Sequence, residues 1–125
     1  MKMMTSYRPG SRISQFDIVR VPFPFSDLIG VKNRPALVIS SPDLFNLSSD
    51  HIVVAMITSA KYSSFPLDVA LEKPFDAGLL KPSVVRMKLA TLAVSLVMES
   101  IGALHASDRQ SVIAALKKLI PLNQH

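Results

Sequence analysis

Apolar and polar residues alternate along the chain in short blocks that predict β-strands. Residues 16–25, FDIVRVPFPF, are rich in β-branched and aromatic side chains, which favours a strand. Residues 35–40, PALVIS, predict a buried strand. Residues 51–59, HIVVAMITS, form the most apolar block and predict a central strand. Pro22 and Pro24 cannot donate ladder hydrogen bonds, so the first strand should leave the sheet or lie at its edge there.

The second half of the chain continues this pattern. Residues 67–72, LDVALE, alternate so that the odd-numbered side chains should face the core. Residues 83–92 predict one bent strand or two short ones, and residues 95–104 are ambiguous between a helical turn and a last strand. Residues 26–33 and 60–66 are predicted loops.

The C-terminal part predicts one amphipathic helix. Ser107 and Gln110 form a capping-box pattern, and Pro121 should end the helix. The apolar residues between them recur at helical spacing: Val112, Ile113, Leu116, Leu119 and Ile120.

Short strands, frequent prolines and a single helix together predict a mainly β, α+β fold, namely a small barrel of short antiparallel strands or a curled sheet, closed by the C-terminal helix. The 125 residues fit one domain, which we assign to residues 16–125 after a polar lead-in at 1–15. The longest apolar run, residues 52–57, is too short to span a membrane, and the first residues lack the apolar centre of a signal peptide. We therefore expect a soluble, cytoplasmic protein.

Charge and composition narrow the possible partners. Fourteen Lys and Arg against nine Asp and Glu give a formal charge of +5, which favours nucleic acid or an acidic protein as partner. Cysteine is absent, and the carboxylates and histidines show no metal-ligand spacing. We expect no metal and no cofactor, and we assign structural roles to His51 and His105.

Several polar residues stand where predicted strands begin or end. Arg34 precedes Pro35, which forces it into an extended conformation, and its planar guanidinium suits bidentate phosphate binding. Thr58 ends the most apolar strand. Arg86 and Lys88 share one parity and could form one positive face. From the residues alone, Arg34 is better explained as a surface arginine whose stem covers an apolar edge, and Thr58 as an ordinary turn-forming hydroxyl. The alternative for Arg86 is a solvent-facing position on an alternating strand.

The order of the motifs resembles that of the MazF/PemK family of toxins from bacterial toxin–antitoxin systems. The resemblance spans residues 16–120 and rests on FDIVRVPFPFSD, KNRPALVIS, AMITS, GLLKPSVVRMKLATL and IGAL. It implies an SH3-like barrel, also found in the CcdB gyrase poisons, and a homodimer. It also implies a sequence-selective, metal-independent endoribonuclease that acts on single-stranded RNA and is masked by a cognate acidic antitoxin. Any contact with operator DNA would be made through the antitoxin, and no membrane is involved.

The resemblance also implies roles for individual residues. Arg34 and Thr58 would be catalytic, helping the ribose 2′-hydroxyl attack the adjacent phosphorus to leave a 2′,3′-cyclic phosphate and a 5′-hydroxyl. The substrate-binding residues would be Asp27, Lys32, Ser59, Arg86 and Lys88. Some relatives carry an acidic residue at the position of Lys88, so the general base is not identified, and Asp27 is one candidate. Relatives also often have Gly-Asp where this chain has Phe16-Asp17.

Two other functions remain open at this level. The chain could be a CcdB-like inhibitor of DNA gyrase, or a catalytically inactive binding or regulatory member of the same fold. Aromatic side chains near the motifs could stack RNA bases, although the first two of them suit the core better: Phe23, Phe25, Tyr62 and Phe65.

Overall fold

A computed structural model of the chain describes residues 12–23, 32–61 and 64–122. These residues form one six-stranded antiparallel sheet in the order β4-β5-β3-β2-β1-β6. The strands are β1 (Asp17–Phe23), β2 (Lys32–Val38), β3 (His51–Ser59), β4 (Val69–Ala70), β5 (Ser83–Ala93) and β6 (Glu99–Ala103). The predicted mainly β architecture with a C-terminal helix is thus confirmed.

The helical segments are short except for the last. A π-helical turn, Pro42–Asn46, runs into α1 (Leu47–Ser49), and the long helix α2 spans Ala106–Leu119. Two 3₁₀ turns, Phe75–Ala77 and Val94–Leu96, precede β5 and β6. Within the described ranges, no helix has the length and apolarity needed to cross a membrane.

Both faces of the curled sheet are buried, which explains why the strands are apolar runs and do not alternate strictly. Ile18, Leu37 and Ala55 pack with Val112 of α2 in one hydrophobic cluster. Side chains of opposite parity form a second cluster on the other face. That second cluster includes Val19, Ala36, Val38, Val54 and Val97. β3 lies between β2 and β5, so the prediction of a central strand is confirmed.

The predicted capping box of α2 is wrong. The helix begins at Ala106, and the N-cap is His105, whose Nδ1 accepts a hydrogen bond from the Ser107 N–H at 3.1 Å. Because the imidazole caps the helix, Ser107 already lies inside the first turn. Asp108 is buried, and its carboxylate accepts the backbone N–H groups of Glu72 and Lys73, both at 2.9 Å. This carboxylate ties α2 to the segment that follows β4.

Strand boundaries also differ from the predictions. Lys32 and Asn33 belong to β2, so the predicted loop at 26–33 is wrong there, and its other residues lie outside the described ranges. The predicted strand at 67–72 contracts to Val69–Ala70, although Val69 and Leu71 face the core as expected.

Residues 83–92 fall within one strand, β5, and the pairing of this strand with β3 contains an irregularity. The ambiguous segment 95–104 contains both alternatives, because the turn Val94–Leu96 ends within it and β6 follows.

Beyond Arg20, β1 is paired with β2 but no longer with β6. Pro22 therefore lies where β1 has one neighbouring strand, as predicted, and Pro24 lies outside the described residues.

Phe16 occupies a backbone conformation that favours glycine. Its φ is 72°, while its N–H donates to Val38 at 2.7 Å and its carbonyl accepts from Leu104 at 2.9 Å. The side chain is buried, and its ring centroid lies 5.7 Å from the Arg109 Cζ. Phe16 thus fills the core at the cost of backbone strain that a glycine would not have.

We predict that Phe16→Gly is more stable than Phe16→Ala by about 0.5–1 kcal/mol, because both lose the ring but only glycine relieves the positive φ. Both variants should be less stable than the wild type, since each removes a buried aromatic side chain. Urea unfolding of the three proteins measures this order. An alanine variant as stable as the glycine variant would show that the backbone is not strained.

Candidate RNA-binding groove

The candidate site is a groove that opens where β2 and β3 separate. The two strands pair from Val38 to Ala36, and there the ladder between them stops. β2 nevertheless continues along β1 to Lys32, and β3 continues along β5 to Ser59. Pro35 has no N–H to extend the ladder, which accounts for the separation at this point.

The groove has a volume of about 460 Å³. Its described lining combines the free end of β2, the end of β3 and the first part of β5. The lining residues are Lys32, Asn33, Arg34, Pro35, Met56, Ile57, Thr58, Ser59, Lys81, Ser83, Arg86 and Lys88.

An irregularity in β5 brings two cations to this groove. Ala55 of β3 pairs with Leu89, yet the next residue, Met56, pairs with Arg86. Met87 and Lys88 are therefore extra residues on the β5 side, as in a β-bulge, which re-aims side chains and bends a strand. Arg86 and Lys88 both line the groove.

The groove is strongly cationic. Its described lining contains the side chains of Lys32, Arg34, Lys81, Arg86 and Lys88 and no carboxylate. Among the described residues, Arg86 alone of these five forms an ion pair with a carboxylate. Four cations in one concave surface create a positive potential that attracts an anionic ligand.

Arg34 has a polar atom that the described fold does not satisfy. Its Nε is buried and has no hydrogen-bond partner among the described residues. A buried donor without an acceptor costs about 1–3 kcal/mol. Arg34 also lines the groove, and the acceptor oxygens of a phosphate are the partners that a guanidinium binds most strongly.

Arg86, for which the resemblance implies a substrate-binding role, forms a nearly buried ion pair with Asp68. Its Nε and Nη2 donate to the two carboxylate oxygens of Asp68 at 3.1 and 2.9 Å. The two side chains are only 12% and 15% exposed. The hydrogen bond to Asp68 raises the pKa of Arg86 above its ordinary value, although burial partly opposes this. The planar fork of Arg86 is thus already engaged by a carboxylate.

Asp68 also fixes the turn that precedes β4. The Asp68 N–H donates to the Phe65 carbonyl at 3.1 Å, and the Asp68 carboxylate accepts the Phe65 N–H at 2.9 Å. Leu67 has a φ of 65°, and Pro66 provides the fixed φ favoured at the second position of such a turn. The turn places the Phe65 ring with its centroid 5.5 Å from the Arg86 Cζ and 5.2 Å from the Lys88 Nζ.

The hydroxyl groups predicted at the end of β3 lie in the same groove. Thr58 and Ser59 are partly buried and pair with Val84 and Ser83 of β5. Ser83 is buried, and its hydroxyl donates to the Lys81 carbonyl at 2.8 Å, which holds the backbone that carries this lysine.

The structure thus brings six of the seven predicted site residues together, and Asp27 lies outside the described residues. The six are Lys32, Arg34, Thr58, Ser59, Arg86 and Lys88. Sequence reasoning missed Lys81 and the pairing of Asp68 with Arg86. Lys81 precedes Pro82 just before β5, which is the same cation–proline signal that identified Arg34.

Comparison with known proteins identifies the family. A sequence model described as PemK-like, MazF-like toxin of type II toxin–antitoxin systems matches residues 14–120. A search of curated protein sequences found no match.

Solved structures share the fold at low sequence identity. An endoribonuclease from a mycobacterial species, in complex with its cognate antitoxin, is 18% identical with a TM-score of 0.70 over 90% of this chain and 99% of its own. The Mycobacterium tuberculosis toxin MazF-mt6 is 23% identical with a TM-score of 0.68 over 86% and 99%. MazF from the Deinococcus radiodurans MazE–MazF complex is 20% identical with a TM-score of 0.68 over 90% and 100%.

These structures therefore bear out the predicted fold. Since the family model covers most of the chain, from before β1 to the end of α2, the chain belongs to the PemK-like, MazF-like toxin family of type II toxin–antitoxin systems.

Proposed function

We propose that this toxin is an endoribonuclease that cleaves single-stranded RNA in the groove between β2 and β3. The observation that carries the proposal is Arg34, whose buried Nε lacks a partner among the described residues in a groove lined by cations and hydroxyls. Both features call for an anionic ligand with acceptor oxygens, and the structural relatives named as endoribonucleases make RNA the favoured one. Single strands fit because their bases and backbone are accessible.

The proposed reaction is internal attack by the ribose 2′-hydroxyl on the adjacent phosphorus. The P–O5′ bond breaks as the new P–O2′ bond forms. The 2′-hydroxyl loses one proton and the leaving O5′ gains one, so that a 2′,3′-cyclic phosphate and a 5′-hydroxyl result. Arg34 stabilises the negative charge that accumulates on the phosphate, and the Thr58 hydroxyl donates to a phosphate oxygen. Lys32, Lys81 and Lys88 hold the flanking phosphates and align the strand.

A cleavage assay tests the proposal directly. Purified protein is mixed with a long single-stranded RNA and, separately, with the same RNA annealed to its complement, and the new 5′ ends are sequenced. We expect cleavage of the single strand at a limited set of sequences. RNA binding without cleavage would indicate an inactive binding member, and inhibition of DNA gyrase without RNA cleavage would indicate the CcdB-like alternative.

We predict that Thr58→Val lowers the cleavage rate by about tenfold, because it removes one hydrogen bond to the phosphate while a β-branched residue of similar shape preserves β3. Single-turnover cleavage measures the effect, and Thr91→Val on β5 is the control. Thr91 is exposed and does not line the groove. Equal losses in both variants would argue against a role for the Thr58 hydroxyl.

We also predict that cleavage persists in excess EDTA. The described groove lining contains no carboxylate, imidazole or thiolate, so it lacks the usual ligands of a divalent ion. Within the described residues as a whole, no group of three or more such side chains could hold a metal. Activity lost in EDTA and restored by magnesium would contradict the metal-independent mechanism.

We propose that a protein partner of this toxin binds the same groove as RNA. Relatives were solved in complex with a cognate antitoxin, and we propose an acidic antitoxin segment that occupies the groove cations in competition with RNA. We further propose that the chain acts as a homodimer. Light scattering should then give twice the chain mass of 13.7 kDa.

A further inference from the structure

We propose that Phe65 is a base-binding residue, on whose ring a base of the bound RNA stacks at the edge of the groove. The inference rests on the proposed function, since it names how that groove would hold its substrate. It is carried by the position of the ring, its exposure and the way its backbone is fixed.

The ring lies beside the cationic groove although it is not part of the lining. Its centroid is 5.2 Å from the Lys88 Nζ and 5.5 Å from the Arg86 Cζ, and both cations line the groove. Phe65 is 37% exposed, so one side of it remains accessible beside a nearly buried ion pair. A phenyl ring next to phosphate-binding cations is the combination with which proteins hold single-stranded nucleic acids.

The backbone of Phe65 is fixed before any ligand binds. Both its N–H and its carbonyl bond to Asp68, and Asp68 is itself held by the fork of Arg86. Leu67 has a positive φ of 65°, which the turn from Phe65 to Asp68 requires. The backbone of Phe65 is therefore already ordered in the folded protein. RNA binding does not have to order it, which lowers the entropic cost of binding.

This arrangement gives Arg86 a new role. Its guanidinium is bonded to Asp68, so we assign it to positioning Phe65 and not to binding a phosphate by its fork. Lys88 has no carboxylate partner among the described residues, so its ammonium can move from the ring towards an RNA phosphate. One cation then orients the aromatic ring, and the other binds the RNA backbone beside it.

Substitutions at Phe65 separate stacking from simple packing. The probe is a single-stranded RNA oligonucleotide that spans a mapped cleavage site and carries a 2′-O-methyl group at the scissile ribose, so that it binds without being cut. Phe65→Leu keeps apolar bulk but removes the aromatic face, and we expect it to weaken binding by about tenfold. Phe65→Tyr keeps the ring and should bind within about twofold of the wild type.

A spectroscopic readout reports stacking itself. The chain contains no tryptophan, so Phe65→Trp introduces a single indole whose fluorescence should be quenched when the oligonucleotide binds. Phe45→Trp is the matched control. Phe45 has a similar exposure of 36% but precedes the His51 end of β3, whereas the groove lies towards the Ser59 end. Its fluorescence should not change.

The outcomes distinguish the inference from the function on which it rests. Wild-type protein that cleaves RNA, together with Phe65→Leu protein that binds as tightly as the wild type, would overturn the stacking role alone. Equal weakening by the leucine and tyrosine variants would also overturn it. Tyrosine keeps the aromatic ring and leucine removes it, so equal losses would show that RNA binding does not depend on the ring. Wild-type protein that neither binds nor cleaves RNA would overturn the proposed function and this inference with it.

Discussion

Replacing Arg34 with alanine should lower the rate of RNA cleavage by about a hundredfold, without loss of stability. Removing one charge-assisted contact to the transition state costs about 3 kcal/mol, which corresponds to that factor in rate. The buried Nε has no partner among the described residues, so the folded protein gives up no hydrogen bond that the structure describes. Single-turnover cleavage and urea unfolding of the same preparation measure the two effects.

The stability measurement separates the two interpretations of this arginine. If Arg34 merely covers an apolar edge with its stem, alanine should destabilise the protein and leave cleavage intact. If it is a catalytic residue, alanine should leave the free energy of unfolding unchanged or raise it. Lys81→Ala is the control for general loss of groove charge. It should weaken RNA binding in a salt-dependent way while it changes the single-turnover rate at saturating RNA much less.

Replacing Arg86 with alanine should lower the free energy of unfolding by about 3 kcal/mol. The Arg86–Asp68 pair is bidentate, and both side chains are less than one-sixth exposed. Alanine would leave the Asp68 carboxylate with little solvent and without its arginine, and an uncompensated buried charge is strongly destabilising. Urea unfolding measures the change, and the mutant cycle with Asp68→Ala measures the coupling between the two side chains.

Arg12→Ala provides a matched control for this prediction. Arg12 bonds Asp43 at the same 2.9 Å, but these side chains are 58% and 68% exposed. An exposed pair of this kind contributes at most about 1 kcal/mol.

In the mutant cycle, the double variant Arg86→Ala/Asp68→Ala should be clearly more stable than the sum of the two single losses predicts. Additive losses, or equal effects of Arg12→Ala and Arg86→Ala, would contradict the structural importance of the pair.

Local patterns were sufficient to predict most of the fold. The apolar runs identified β1, β2, β3 and β5 because a sheet buried on both faces needs apolar residues at successive positions. The cap of α2 was misassigned because a histidine imidazole took the role that the Ser107 hydroxyl was expected to play. The length of β4 was overestimated because an alternating pattern indicates which residues are buried and not which residues pair in the sheet. Leu71 is buried although it lies beyond the end of β4.

The candidate site was predictable where it depends on strand ends and not where it depends on long-range pairing. The Arg34-Pro35 signal works because proline limits the conformation of the residue before it and interrupts the β2–β3 ladder. The partner of Arg86 could not be predicted in this way. Asp68 is 18 residues away in sequence, and it reaches Arg86 through the turn at Leu67, whose positive φ carries no reliable sequence signal in a leucine.

The central claim is that the groove promotes attack by the substrate's own 2′-hydroxyl. The most direct measurement uses an oligonucleotide with one mapped cleavage site and its analogue with a single 2′-deoxyribose on the 5′ side of the scissile phosphate, with the products identified by mass spectrometry. We predict a 2′,3′-cyclic phosphate and a 5′-hydroxyl from the RNA and no cleavage of the analogue. Cleavage of the deoxy analogue, or a 5′-phosphate on the product, would contradict the account.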